Sequence, residues 1–352
     1  MASSAAPADP PVTRNRDQSA DLARERGFRA GAVAALIALT RLLDPPMRGI
    51  QRLIGAAGMP YAFLLPNACF FGIFVFVPIA INLYYSLTGG TALYLSERPF
   101  AGTQQYAHLL DCQSFFDPTT CREDHFWRGV GNTLKFTVFQ TVAMVLLSLA
   151  SALVLNKRIR ARGFFRSVFF FPVLLSPVVV ALLWKWILQR DGLLNAMLTA
   201  GGGPKVLFFI DPGWAMFWSV FVSVWAHMGF YTLILLAGLQ AIPRDIYEAA
   251  EMDGTSAWRV LTRITLPLLW PNLLVVLVLV LIRSVQVFDE VFVLTGGGPG
   301  TATMMIVHYI YATAFANQVQ NFGLAAAASV MLGLVLFALT LLQLYLARGR
   351  SR

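Results

Sequence analysis

The sequence predicts an all-α, polytopic membrane protein, and three observations carry that reading. Hydrophobic residues make up 57% of the 352 and charged residues only 13%, with a mean hydropathy of +0.64. A soluble globular chain is about 45–50% apolar and about 25% charged. Six separate apolar segments each reach the roughly 20 residues that a helix needs to cross a bilayer. Lys and Arg, finally, gather in alternate loops instead of scattering. The composition excludes a disordered chain, collagen, a coiled coil, a small disulfide scaffold and an ordinary soluble enzyme, which would lack the polar surface to cover this apolar bulk.

The first 27 residues are polar and contain no apolar h-region, so no cleavable signal peptide is expected. Residues 1–59 read as an N-terminal tail. Within it, 30–43 is apolar over a core too short to span and carries Arg29 and Arg41 at its flanks, so it reads as an interfacial helix. The predicted spans lie at about 61–87, 129–155, 164–188, 214–240, 266–294 and 322–346, giving a transmembrane domain over 60–352. A shorter apolar stretch, 304–316, is expected along the surface.

Basic residues resist translocation and mark the cytoplasmic side. Of the 27 Lys and Arg, 19 fall before the first span, in 156–166, in 241–265 and after Leu346, while the stretch between spans five and six has none. An even number of spans separates these segments, so both termini are expected in the cytoplasm. The net charge of +9 is thus a topology signal and not a nucleic-acid surface. The loop at about 88–128 then lies outside and holds Cys112 and Cys121. In an oxidising compartment they could close a disulfide; two unpaired thiols fit the sequence equally well. Three Cys and four scattered His (His108, His125, His227, His308) offer no metal-ligand cluster.

The segment from Ala241 to Leu268 is the most informative. Pro243 suits a first helical turn, Asp245 and Glu248 add acidic charge near the positive end of a helix, and Gly254 suits its stop. Ala249 and Ala250 give a small-residue face rimmed by Glu248, Glu251 and Asp253. Small residues framed by acids suit a groove on a partner better than a lipid surface, which favours Lys and Arg.

Glu248-Ala249-Ala250, three residues to Gly254, nine more to Ile264, then Leu266-Pro267 resembles the "EAA" loop of permease subunits of binding-protein-dependent ABC importers. Three further stretches resemble the sugar-importing branch, the kind represented by the larger maltose permease subunit and the glycerol-3-phosphate permease. They are Tyr61 to Pro66 leading to Tyr85–Thr88, Phe288-Asp289 leading to Leu294–Pro299, and Tyr309 through Phe315 to Phe322-Gly323 and Ala325–Ala327. The likeness covers about 60–346.

The resemblance implies a type I importer fold in the bacterial inner membrane. It also implies a second homologous permease, an ABC ATPase dimer carrying ATP and Mg, and an external solute-binding protein. This chain has no Gly-x-x-x-x-Gly-Lys-Ser/Thr loop, so it is expected to bind no cofactor and hydrolyse nothing itself. Glu248, Ala249, Ala250, Asp253 and Gly254 would couple to the ATPase. Counted back from Gly296, the family's sugar-contacting positions fall on Val280, Arg283, Ser284 and Val287, and in span four on Ala226, His227 and Phe230. Tyr231 and Gln286 join them as polar groups within spans, with Asp289 and Glu290 further along. A guanidinium at this depth needs a partner. An anionic sugar derivative and a carboxylate of the sister subunit both remain open for Arg283. A stand-alone secondary transporter or a membrane-embedded enzyme would need broken repeats or a convergent His/Asp/Glu set, and neither is evident.

Overall fold

The computed structural model describes residues 57–115, 117–157 and 160–348, together with Gln51 and Gly55. The expected tail and the 30–43 helix lie outside the described residues. The chain divides into two units, Met1–Ile79 and Ala80–Arg352, which are described separately. Among the described residues five helices are long and apolar enough to cross a membrane, and six if one bent pair counts as a single span.

Helix α1, Ala57–Ser86, is the first span. In the first unit it is apolar all round, with Phe70 and Phe74 rings 4.8 Å apart.

In the second unit, a short α2 (Gln104–Leu110) precedes α3 (Asp124–Asn156), which starts five residues before its predicted span. Span three differs from the expected single helix. Its parts are α4 (Arg162–Phe170), a 3₁₀ turn (Phe171–Leu174), α5 (Pro177–Leu188) and α6 (Leu193–Ala200). The pair of segments Arg162–Leu174 and Pro177–Ala200 is bent by 100°. Two prolines explain it. Pro172 tightens the chain into the 3₁₀ turn, and Pro177 forces Ser176 into the extended region (ψ 137).

Helix α7 (Pro212–Ala241) opens with Pro212 at its first turn and the Asp211 carboxylate accepting from Trp214 N–H at 2.8 Å. After α8 (Arg244–Met252), α9 runs from Ala257 to Val285. It starts nine residues before the predicted span. A π turn at Leu261–Thr265 precedes Pro267, whose missing N–H breaks the normal ladder. Helix α10 (Asp289–Thr295), α11 (Ile306–Tyr311, continued by a π turn to Ala316) and α12 (Phe322–Arg348) complete the chain. Span five is therefore not continuous over 266–294: the helix stops at Val285 and resumes at Asp289.

Helices α3, α7 and α9 share the main core. Met144 and Leu155 of α3 meet Tyr231, Leu235 and Leu239 of α7, and Leu269, Val276 and Val280 of α9. At Gly229, α7 runs against the backbone where α4 ends. An added Cβ would fall onto the Phe169 carbonyl oxygen, within 2.8 Å of its carbon and 3.0 Å of Phe170 Cα. Small residues at crossings let apolar helices approach in a lipid environment that supplies no hydrophobic drive of its own.

One end of the bundle is tied by polar contacts from distant segments. Asn132 donates to the Thr301 and Met304 carbonyls (2.7 and 3.2 Å), and Ile306 N–H donates to Thr133 Oγ1 (2.9 Å). Glu123 receives the Tyr309 hydroxyl (3.2 Å) and faces His108 Nε2 (3.1 Å). Burial, with this carboxylate beside it, pushes the Tyr309 phenol well above its ordinary range. Residues 88–115, 117–123 and 296–321 thus occupy the same end, as six-span parity requires. The opposite end carries Leu155, Leu239, Ile242 and α8.

The structure bridges Cys112 to Cys121, closing a loop nine residues in sequence separation. In chain-entropy terms such a loop contributes about 2–3 kcal/mol to local stability. Purified protein is expected to take up alkylating reagent at both positions only after reduction. Mass spectrometry of tryptic fragments reads the difference, and alkylation of Cys112 without reductant would show the bridge to be absent.

Candidate functional site: a coupling elbow and a broken helix

Helix α8 is held by its C-terminal stop and one side chain. Its C-terminus closes as a Schellman motif: Gly254 adopts φ +63, its N–H donates to Glu251 O and Thr255 N–H donates to Ala250 O, both at 3.0 Å. A residue with a Cβ resists that left-handed backbone, which is why glycine stands there. Near the other end the Tyr247 hydroxyl lies 3.2 Å from Thr265 Oγ1 on α9, and its ring packs on the main core. Tyr247 and Thr265 are functional candidates that sequence reasoning missed, since an aromatic inside an acidic loop carries no obvious signal.

Glu248, Ala249, Glu251 and Asp253 are exposed, as are Met252 (89%) and Trp258 (73%). The paired alanines do not act together. A helix turns 100° per residue, so Ala249 faces outward while Ala250 turns into the chain, 6% exposed.

The second candidate site surrounds the interruption of span five. Residues 286–288 leave the helix, with Phe288 at φ −145 and ψ −66. Non-helical backbone at membrane depth is tolerated where it lines a cavity or is covered by protein. Here a cavity of about 220 Å³ sits against the break, with Arg283, Gln286, Phe288, Asp289 and Glu290 in its wall.

The structure brings His227 of α7 and Arg283 of α9 into direct hydrogen-bonding contact. The other imidazole nitrogen, Nδ1, lies 2.8 Å from the Ser223 carbonyl oxygen. Both contacts are satisfied only by the neutral ring with its proton on Nδ1: that N–H donates to the carbonyl, and Nε2 accepts from the guanidinium. Behind them Gln140 Nε2 donates to Ser223 Oγ (3.0 Å), and Ser223 donates to Glu290 Oε1 (2.9 Å). Glu290 is 4% exposed. One polar chain therefore joins α3, α7 and the helix after the break. Among the described residues no carboxylate forms an ion pair with Arg283.

The predicted pathway residues divide. Phe230 (43%), Arg283 and Gln286 are exposed and His227 is half-buried. Ala226, Tyr231, Val280, Ser284 and Val287 are between 0% and 4% exposed and pack into the chain's own core. Ser284 turns its hydroxyl to the Leu281 carbonyl at 3.1 Å. Spacing along the sequence located the segment; packing among α3, α5, α7, α9 and α10, together with the break at 286–288, turns these five inward. Gln140 and Ser223 are polar groups within spans that sequence reasoning passed over, and only the chain from Gln140 through Ser223 to Glu290 sets them apart.

Residues 144–352 match the family model described as "Binding-protein-dependent transport system inner membrane component". The trehalose/maltose transport system permease protein MalF of Thermococcus litoralis is 34% identical over 297 residues, covering 84% of this chain and 95% of that one. The lactose transport system permease protein LacF of Rhizobium radiobacter is 33% identical over 296 residues, covering 83% and 94%. Among solved structures, a bacterial ABC transporter involved in the import of the acidic polysaccharide alginate superposes with a TM-score of 0.70 at 25% identity, covering 86% of this chain and 99% of that one. A mostly helical chain with up to six spans and an acidic, glycine-stopped elbow between the fourth and fifth, matching this family over more than half its length, belongs to the inner-membrane permease components of binding-protein-dependent ABC importers.

Proposed function

We propose that this chain forms half of the pathway through which a carbohydrate or sugar derivative enters the cell. A second permease would supply the other half, a cytoplasmic ATPase dimer would bind beneath with ATP and Mg, and an external solute-binding protein would deliver the solute. Both termini face the cytoplasm in this reading, as the alternation of basic loops suggests. The single observation that carries it is the span-five break, where donors (Arg283, Gln286), an acceptor (Asp289) and the Phe288 ring line one cavity. Hydroxyl-rich solutes need donors, acceptors and an aromatic face together. The names of the relatives, for trehalose, maltose and lactose, support the same class.

On the elbow, exposed Glu248, Glu251 and Asp253 beside Met252 and Trp258 suit a groove with a basic rim and an apolar floor. α8 is clamped to α9 through Tyr247 and Thr265, and α9 ends at the break, so a push on the elbow and solute at the break bias one two-state element.

Affinity purification of the tagged chain from its native membranes is expected to copurify a sister permease and an ATPase. Proteoliposomes holding that complex should accumulate radiolabelled maltose, trehalose or lactose only with ATP and binding protein together. Uptake by this chain alone, driven by an ion gradient, would restore the secondary-transporter reading.

A further inference from the structure

We propose that His227 is the positioning residue of the solute site: as a neutral, proton-fixed acceptor it aims the Arg283 guanidinium into the cavity at the span-five break, where Arg283 contacts the solute. This inference rests on the carbohydrate-import reading above.

The argument starts from what an arginine side chain needs. Arg283 is exposed and has long, flexible torsions, so without an anchor its charge would sample many positions and lose binding free energy on ordering. A carboxylate anchor would consume that charge in an ion pair. The neutral imidazole does not: it takes one N–H of the five and leaves the rest, and the full positive charge, for the cavity. The imidazole is itself fixed, since Nδ1–H is committed to the Ser223 carbonyl at 2.8 Å. The Ser223 carbonyl is held by the backbone of α7, and the Ser223 hydroxyl links Gln140 (3.0 Å) to Glu290 (2.9 Å). Ser223 and Glu290 lie at 0% and 4% exposure, so water does not compete for these bonds. Glu290 also stands on the far side of the break from Arg283, so the same chain holds the two helix ends that frame the cavity.

The test is a mutant cycle in the complete complex, with half-saturation of uptake measured for whichever of maltose, trehalose and lactose the wild type carries. His227→Asn keeps a group near Nδ1 but cannot reach Arg283; it is expected to raise half-saturation about tenfold or more while maximal rate changes little. His227→Gln, which places an acceptor oxygen near the old Nε2, is expected to stay within about threefold, because it restores a single hydrogen bond. In an Arg283→Ala background His227→Asn should add nothing, as expected of residues acting through one another. Copurified sister permease and ATPase normalise each variant, and His227→Ala replaces His227→Asn in the cycle if the latter does not assemble. Equal losses in the Asn and Gln variants, or additive losses in the double variant, would overturn the inference while leaving carbohydrate import standing. Absence of any sugar uptake by the wild type would overturn the import reading, and the inference with it.

Discussion

Glu248→Arg is expected to abolish ATP-driven uptake, by about thirtyfold or more, in a chain that still folds and inserts. Glu248 is exposed on α8, so the larger side chain meets open space in its own subunit. The helix keeps its Schellman stop at Gly254 and its Tyr247 clamp, neither of which involves position 248. What changes is the charge presented to the partner. Reversing one member of a charge pair that becomes buried on docking costs at least the 2–5 kcal/mol of removing it. Membrane yield and recovery of the sister permease should match wild type, while recovery of the ATPase falls. Normal uptake by this variant would remove Glu248 from the coupling contact. Ala250→Glu should fail for another reason: position 250 faces the chain, so a carboxylate there is buried without a partner and dislodges α8 itself.

Gly229→Val should prevent the bundle from forming a stable protein. The atom that a new Cβ meets is the carbonyl oxygen of Phe169, which is backbone, so no rotamer change relieves the clash. Either α4 moves away, opening the interface beside the main core, or the crossing is lost. Overpacking of a flexible site costs about 1–3 kcal/mol, and a rigid backbone-to-backbone crossing belongs at or above the upper end. The control is Gly131→Ala in α3, where an added methyl meets nothing within 4 Å. That variant should stay within about 1 kcal/mol of wild type, since it only narrows the unfolded chain's freedom. Thermal unfolding in detergent and membrane yield read both. A Gly229→Val chain as stable as the control would show that the α4–α7 crossing is looser than described.

The contrast between these two glycines marks the limit of sequence reading. Gly254 was legible, because a glycine following an acidic, alanine-bearing helix has a local function, and its left-handed backbone confirms the stop. Gly229 was not, because nothing near it in sequence announces that Phe169 lies against it. The same divide runs through the solute site. His227, Phe230, Arg283 and Gln286 stood out as polar or aromatic groups within apolar runs. That Ala226, Val280 and Val287 turn inward, and that Ser223 and Glu290 stand behind the imidazole, follows from helix rotation and from the break at 286–288.

By itself the sequence determined the class, the number of apolar segments and the place of the elbow. Each of these is set within a window of about twenty residues, by the dielectric boundary of the bilayer, the cost of translocating Lys and Arg, and the capping of one helix. Only the tertiary structure decided that span three bends by 100°, that span five stops at Val285, and that Arg283 meets a neutral imidazole on another helix. The bend follows locally from Pro172 and Pro177 once the helix ends around them are set, whereas the meeting of Arg283 with His227 depends on packing between helices 56 residues apart in the chain.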